Sequence, residues 1–496
     1  MAYPLMPRRA APILPNEILM LILELLENPS AVSLVSCLFY HLAFPLVHHT
    51  LEFTSGARTK EFLDRVLSED DEEPLRISQA LRRLTVFEEK SGHDYTCPVD
   101  DKLLARFRYA IPKLVNLEQL NWRIPYELDD TDVLIDFQRF CPRLQSLDLT
   151  ANSQQFVERS KIFEFRNLTH LQAMLRGNLF DSSHFNLTPN SLLVAIQASP
   201  LLHTLVLRPH LHAYFDPEVD VDMNHFFQTL DTSLPHLRHL EIRSRAKLEW
   251  NHILNRTQGF DPIRSFFLGS SKIETLIIDW IPESPINNPD LRLVRDMFPA
   301  LRHFTGPERI SAVLLSSDVR LRLETLKILP SDEARDVDAY ATIVHAATEL
   351  PQLRSLCLPV RYIDPWDVQP EGEFLFSTIL KQHLRAAPEL ESLELNCYAL
   401  SPNDILEPVG PMIQHAKLRQ VSLSGLPLSS TTTGSKLNAN MMAQLAITCP
   451  QLERLTICDS LLFDFSENHR FERDNEGRLE RTVETREHIY AVDQFY

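Results

Sequence analysis

Apolar residues recur along this chain in one phrase, Pro-x-Leu-x-x-Leu-x-Leu. It is clearest at Pro142 to Leu149, Pro200 to Leu207, Pro235 to Ile242, Pro351 to Leu358, Pro388 to Leu395 and Pro450 to Ile457. Looser copies lie at Leu81-Leu84-Val86, Leu117-Leu120-Trp122, Leu168-Leu171, Ile273-Leu276-Ile278, Leu301-Phe304, Leu323-Leu326-Ile328 and Leu418-Val421-Leu423. The thirteen copies, at irregular steps averaging roughly 31 residues, fall within the period of repeat arrays. Leu-x-Leu alternates at period two, which predicts a short strand with one buried face. Helical patterning precedes several of the prolines: Asp132 to Phe140, Tyr340 to Glu349, Glu373 to Ala387 and Asn440 to Thr448. A strand and a helix cannot bury their shared apolar face alone, so such units must stack into one continuous core.

The first fifty residues follow another rule. From Ile18 to Leu26 every residue except Glu24 is apolar, and Glu17, Glu24 and Glu27 form one narrow polar stripe on the predicted helix. A surface helix needs a single apolar stripe toward its own core. Here two faces are apolar, more than a forty-residue motif can bury. One face must meet a larger body of the chain or a partner. Pro15 suits a first helical turn and Glu17 the positive end of the helix dipole. Asn28-Pro29-Ser30 is expected to stop that helix, and Val32, Val35, Phe39, Leu42 and Ala43 predict a second helical piece that Pro45 ends or kinks.

Leu14-Pro15-x-Glu17-Ile18-Leu19, Ile22-Leu23, Leu26 and then Leu34-Val35-Ser36-x-x-Phe39-x-x-Leu42-Ala43 resemble the F-box. The chain departs from the commonest F-box pattern at Asn28-Pro29-Ser30-Ala31 and at Cys37-Leu38. The later cadence is similar to leucine-rich repeats, in the long, irregular version that often follows an F-box. The expected fold is α/β: an N-terminal all-helical F-box, then an irregular leucine-rich-repeat solenoid with short parallel strands on its concave side and helices on its convex side. The expected boundaries are a flexible N-terminus over 1–11, the helical module over 12–50, the solenoid over 51–463 and a charged cap, helix or tail over 464–496. The resemblance implies docking on the Skp-type adaptor of a cullin–RING ubiquitin ligase. Leu14, Pro15, Ile18, Ile22, Leu26, Val35, Phe39 and Leu42 are the expected adaptor contacts. The alternative is a non-degradative interaction scaffold whose first helices only cap the repeats.

Residues between the buried leucines of stacked strands face the concave side. Asp148, Arg208, Glu241, Arg243, Lys327 and Glu394 occupy such positions and are candidates for binding a protein substrate. Insertions in solenoids cluster on one rim, and exposed aromatics dominate interface energetics. Tyr362 and Trp366, in the insertion from Pro359 to Glu373, are the preferred anchors; Trp280 opens another proline-rich loop. Ser68 to Glu73, acidic after the serine, is expected to be an exposed linker.

Composition narrows the chemistry. A net charge of −18 disfavours a nucleic-acid surface, and the acidic residues within 18–27 interrupt any membrane span. Eleven glycines in 496 residues, about 2% where about 7% is usual, leave no glycine-rich phosphate loop. Seven cysteines without a secretory signal or a C-x-x-C pair suggest buried thiols in an intracellular protein, cytoplasmic or nuclear. No G-x-S-x-G or H-E-x-x-H occurs. The expected protein is a non-catalytic monomer within a hetero-complex, with no metal, cofactor, nucleic acid or membrane.

Overall fold

The recurrent phrase becomes a turn followed by a strand, and the turn begins with a buried residue. In the computed structural model, Leu144, Leu237, Leu353, Leu390 and Leu452 donate their N–H groups to the carbonyls of Cys141, Leu234, Leu350, Ala387 and Cys449, at 3.0–3.2 Å. Each contact closes a four-residue turn with proline at its second position, where the fixed φ fits and no N–H is needed. The turn-opening side chains are all buried. The structure describes residues 15–26, 29–70, 72–87, 101–123, 132–152, 165–176, 190–210, 223–230, 233–243, 247–257, 259–282, 284, 286–329, 349–360, 380–397, 417–424, 449–458, 465–473 and 479–487.

The chain divides into two units, Met1–Asn178 with Pro189–Ser199, and Leu179–Thr188 with Pro200–Tyr496. The first unit holds helices α1 (Asn16–Glu24), α2 (Pro29–Ser33), α3 (Cys37–Val47) and α4 (Gly56–Ser68). Its strands are β1 (Thr50–Phe53), β2 (Arg83–Phe87), β3 (Gln119–Arg123), β4 (Ser146–Asn152) and β5 (His170–Arg176), paired in chain order and parallel. Leu84, Leu120, Leu147 and Leu171 stand opposite one another in successive strands and are buried. Behind them Phe107, Trp122 and Phe137 stack edge-on, with centroids 5.4–6.5 Å apart.

The second unit continues with β6 (Thr204–His210), β7 (His239–Ile242), β8 (Lys247–Leu248), β9 (Thr275–Ile278), β10 (Ile281–Pro282), β11 (His303–Pro307), β12 (Thr325–Leu329), β13 (Ser355–Val360), β14 (Ser392–Cys397), β15 (Gln420–Ser424) and β16 (Arg454–Cys458). β8 and β10 form a small parallel pair of their own, and the others align in order as one parallel sheet. Each of the thirteen copies of the phrase lies on a strand of one unit or the other. The helix expected over Asp132 to Phe140 is present with those bounds. Residues 380–386 of the Glu373 to Ala387 segment are helical, whereas nearly all of Tyr340 to Glu349 and of Asn440 to Thr448 lies outside the described residues. Each unit is thus built from the strand-and-helix elements of leucine-rich repeats, with a helical module at the start of the first.

Several local expectations need correction. β1 has no copy of the phrase: Leu51 and Phe53 supply its x-Leu-x-Phe alternation, but the turn before it is replaced by the end of α3. The single second helix is two helices, because Ser36 is extended and its hydroxyl accepts from the Phe39 N–H at 3.3 Å, starting α3 afresh. Pro45 lies inside α3, which runs on to Val47. In the acidic stretch after α4, Glu69 is buried and its carboxylate accepts from the Ile77 and Ser78 N–H groups, at 2.6 and 3.2 Å. Lys113 closes the same corner by donating to the Val66, Leu67 and Glu69 carbonyls at 2.9–3.2 Å, where the helix dipole favours a cation. Among the described residues beyond 464, an antiparallel hairpin, β17 (Phe465–Arg473) and β18 (Leu479–Glu487), is added antiparallel to β16.

Phe304 and Gly306 on β11 are a matched pair. Phe304 replaces the usual first strand leucine, and Gly306, opposite Ile328, sits where other strands carry a second aliphatic residue. A Cβ at Gly306 would collide with the Phe304 ring. Gly306→Val is expected to destabilise the protein by about 1–3 kcal/mol through overpacking. Adding Phe304→Leu should recover most of that loss, read as the urea midpoint of unfolding; two independent, additive losses would refute the pairing.

Candidate functional site

Two surfaces bear on function. One is on the helical module of the first unit, the other on the exposed face of the strands.

α1 presents opposite faces of unequal character. Leu23 is buried together with Ala43 and Phe44 of α3, which form the inner packing of the module. On the other side Ile18, Ile22 and Leu25, one helical face by their spacing, are 42%, 44% and 85% exposed. Leu21 and Leu26 widen this ridge. At the turn between α2 and α3, Leu34 and Val35 are 88% and 70% exposed, and Leu38 follows on α3. Among the expected adaptor contacts, Pro15, Ile18, Ile22, Leu26 and Val35 are exposed, Phe39 and Leu42 are half-buried, and Leu14 lies outside the described residues. Leu21, Leu25 and Leu34 complete the ridge and were not among the expected contacts. The available signal was the nearly unbroken apolar run from Ile18 to Leu26 and the Leu34-Val35 pair. Surfaces of this kind on soluble proteins mark sites of association.

On the strand faces, Glu241 engages Arg208 and Arg243, Lys327 engages Glu394, and Asp148 engages Arg123. Arg123 donates through Nε to Asp148 at 2.8 Å. Glu241, fully buried, accepts from Arg208 at 2.7 and 3.1 Å, and the Arg243 guanidinium approaches the same carboxylate at 2.7 Å. Burial alone would raise the Glu241 carboxyl. His239, Arg208 and Arg243 outweigh that and hold it at about 2. Lys327 reaches over β13 to Glu394 at 3.3 Å. Beneath that pair Cys357 is buried, its thiol pushed up chiefly by burial, and Asn396 donates to its sulfur at 3.2 Å. Asp148 and Glu241 are therefore the buried members of ion pairs, while the partly exposed cations form the outer surface.

The aromatic expectations divide. Tyr362 and Trp366 lie outside the described residues. Trp280 is a correction: it is fully buried against Trp250 and Phe227, at 6.1 and 6.0 Å, in a core drawn from three separate repeats. The loop after it is held by Ser284, which donates to Glu249, and by Asn251, which accepts from the Asn287 N–H at 2.8 Å. Cys141 and Cys449 are buried, and burial pushes the Cys141 thiol up to about 12, so it stays protonated. Among the described residues no group of three or more His, Cys, Asp or Glu side chains could hold a metal ion. Nor is any helix among them long and apolar enough to cross a membrane.

No protein-family model matches the chain, and no curated protein matches it. Among solved structures, the Rad7 and Elc1 complex in yeast matches at 13% identity over 76% of this chain and 75% of that one, with a TM-score of 0.37. The leucine-rich repeat-containing protein LegL7 from Legionella pneumophila matches at 13% identity over 69% and 90%, with a TM-score of 0.36. Likenesses at that level bear on neither the activity nor the partners of this chain.

Glu241 gives the strand face a defined acid response. Its folded pKa lies below the unfolded value, so its contribution is complete above about pH 4.5 and is lost as pH falls toward 2. Glu241→Gln is expected to cost about 1–3 kcal/mol at pH 7 by leaving two half-buried guanidiniums without their anion. The gap from wild type should narrow steadily in urea melts between pH 4.5 and 2.5; a gap constant with pH would exclude ionic pairing as its cause.

Proposed function

We propose that this chain is the substrate-recruiting subunit of a cullin–RING ubiquitin ligase. Its N-terminal module docks on a Skp-type adaptor and its repeats hold a protein substrate. The observation that carries this reading is the ridge of Ile18, Ile22, Leu25, Leu34 and Val35, exposed on a module that already has its own core in Leu23, Ala43 and Phe44. Four of its five residues, Ile18, Ile22, Leu34 and Val35, are positions at which the chain resembles the F-box. A pure capping role would call for polar residues there.

In this reading the chain performs no bond chemistry. It ties substrate and conjugating machinery into one assembly, which raises their effective concentration. The substrate is met on the strand face of the second unit, where Arg208, Arg243 and Lys327 are the more accessible members of ion pairs with Glu241 and Glu394; Asp148, paired with Arg123, is a separate candidate on the strands of the first unit. Tyr362 and Trp366 are proposed as additional anchors.

Ile18→Asp with Ile22→Asp should lower adaptor affinity at least about hundredfold, roughly 2.7 kcal/mol, and abolish co-purification. Both side chains are already substantially exposed, so the circular dichroism spectrum and unfolding midpoint should stay within error of wild type. Undiminished adaptor binding by this variant would remove the assignment. Removing residues 1–47 separates the scaffold alternative. It spares His49, whose carbonyl accepts from Arg82 and Arg83 at 2.9 Å. A recruiter keeps folded repeats that no longer bind adaptor, whereas a scaffold that needs its cap unfolds.

A further inference from the structure

In the second unit, the residue directly after the first leucine, isoleucine included, of each phrase from β7 onward is charged, and these residues form a row. Its sign alternates strand by strand from β7 to β16 without a break. The ion pairs are Arg238–Glu274 (3.6 Å), Arg302–Glu324 (3.0 Å), Arg354–Glu391 (3.7 Å) and Arg419–Glu453 (3.9 Å). Glu274, Glu324 and Glu391 also precede the next arginine in the row, joined to it through the backbone. The carbonyls of Glu274, Glu324 and Glu391 accept from the N–H groups of Arg302, Arg354 and Arg419 at 2.8–2.9 Å. These side chains are mostly well exposed, so they contribute little to the core and little individually to stability.

We propose that the row is a parity device, which disfavours any stack in which a repeat pairs with the next but one in place of its neighbour in chain order. Neighbouring strands are about 4.8 Å apart, so charges at one row position are close enough to interact. In the native order every interior charge lies between two of opposite sign. A stack that skips one strand sets arginine beside arginine or glutamate beside glutamate; one that skips two restores alternation. The leucine ladders cannot make this distinction, because one leucine fits another's place. Correct order within the row also decides which side chains meet on the strand face, including Lys327 with Glu394.

Charge reversal in the full chain tests this. Arg354→Glu puts like charges on both sides of one position and is expected to lower the urea midpoint by about 0.3 M in 20 mM NaCl. Arg354→Gln, which removes the charge without reversing it, should lower it less. Inverting the whole block (Arg354→Glu, Glu391→Arg, Arg419→Glu and Glu453→Arg) leaves a single like contact, at Glu324, and should cost half as much as Arg354→Glu or less despite four substitutions. At 1 M NaCl, where screening acts over about 3 Å, the Arg354→Glu loss should fall by more than half. An inverted block as damaging as Arg354→Glu, a loss unchanged by salt, or no loss at all would overturn the proposal.

Discussion

The hydrogen bond that organises both units is a shared one. In eleven of the thirteen phrases the carbonyl after the first leucine or isoleucine accepts two N–H groups from the start of the following strand, as the Arg82 carbonyl does from Glu118 and Gln119 at 2.8 and 2.9 Å and the Glu324 carbonyl from Arg354 and Ser355 at 2.8 and 3.0 Å. One acceptor with two lone pairs thereby fixes both the spacing and the register of the next strand. A shift of one residue would turn every leucine outward. The proline turn serves this bond by delivering the chain to the carbonyl in the right direction, and the buried residue that opens the turn anchors it to the core.

With register fixed in this way, the two faces of the strands acquire separate duties. The inward face can be nearly uniform leucine, isoleucine and valine, and tolerates a Phe304 only when Gly306 yields the room. The outward face is free to vary, and its charged members use that freedom to pair across strands. Glu241 illustrates the balance: a buried carboxylate is costly, and two guanidiniums offset that cost by keeping it ionised. A surface built from such pairs is held in place before any partner arrives.

Strand positions could be read from the sequence because Leu-x-x-Leu-x-Leu encodes both the turn spacing and the period-two alternation, and the two signals reinforce each other. β1 escaped because only the second signal is present there. Trp280 was misplaced because a tryptophan beside prolines looks like a loop residue, while its burying partners Phe227, Trp250 and Phe267 lie in distant parts of the chain. The break between α2 and α3 depends on one serine hydroxyl, a cap that the apolar spacing around it conceals. The alternating row was visible one position after each first leucine, but its meaning depends on strand adjacency. The burial of Asp148 and Glu241 beside arginines of neighbouring strands is a property of the packed sheet, which the alternation along a single strand does not show.

The helical module poses the opposite problem, since its exposed apolar residues serve no register. A helix as short as α1 could satisfy its own packing with Leu23 and its half-buried neighbours Leu19 and Met20. Polar residues at 18, 22 and 25 would then improve solubility at no expense to that core. The chain instead keeps aliphatic side chains there, and again at 34 and 35, within a protein whose net charge of −18 otherwise favours solvation. Aliphatic side chains turned to water on both α1 and the α2–α3 turn, beside an internal core of Leu23, Ala43 and Phe44, form the kind of surface that marks a site of association, and the proposed docking role rests on it.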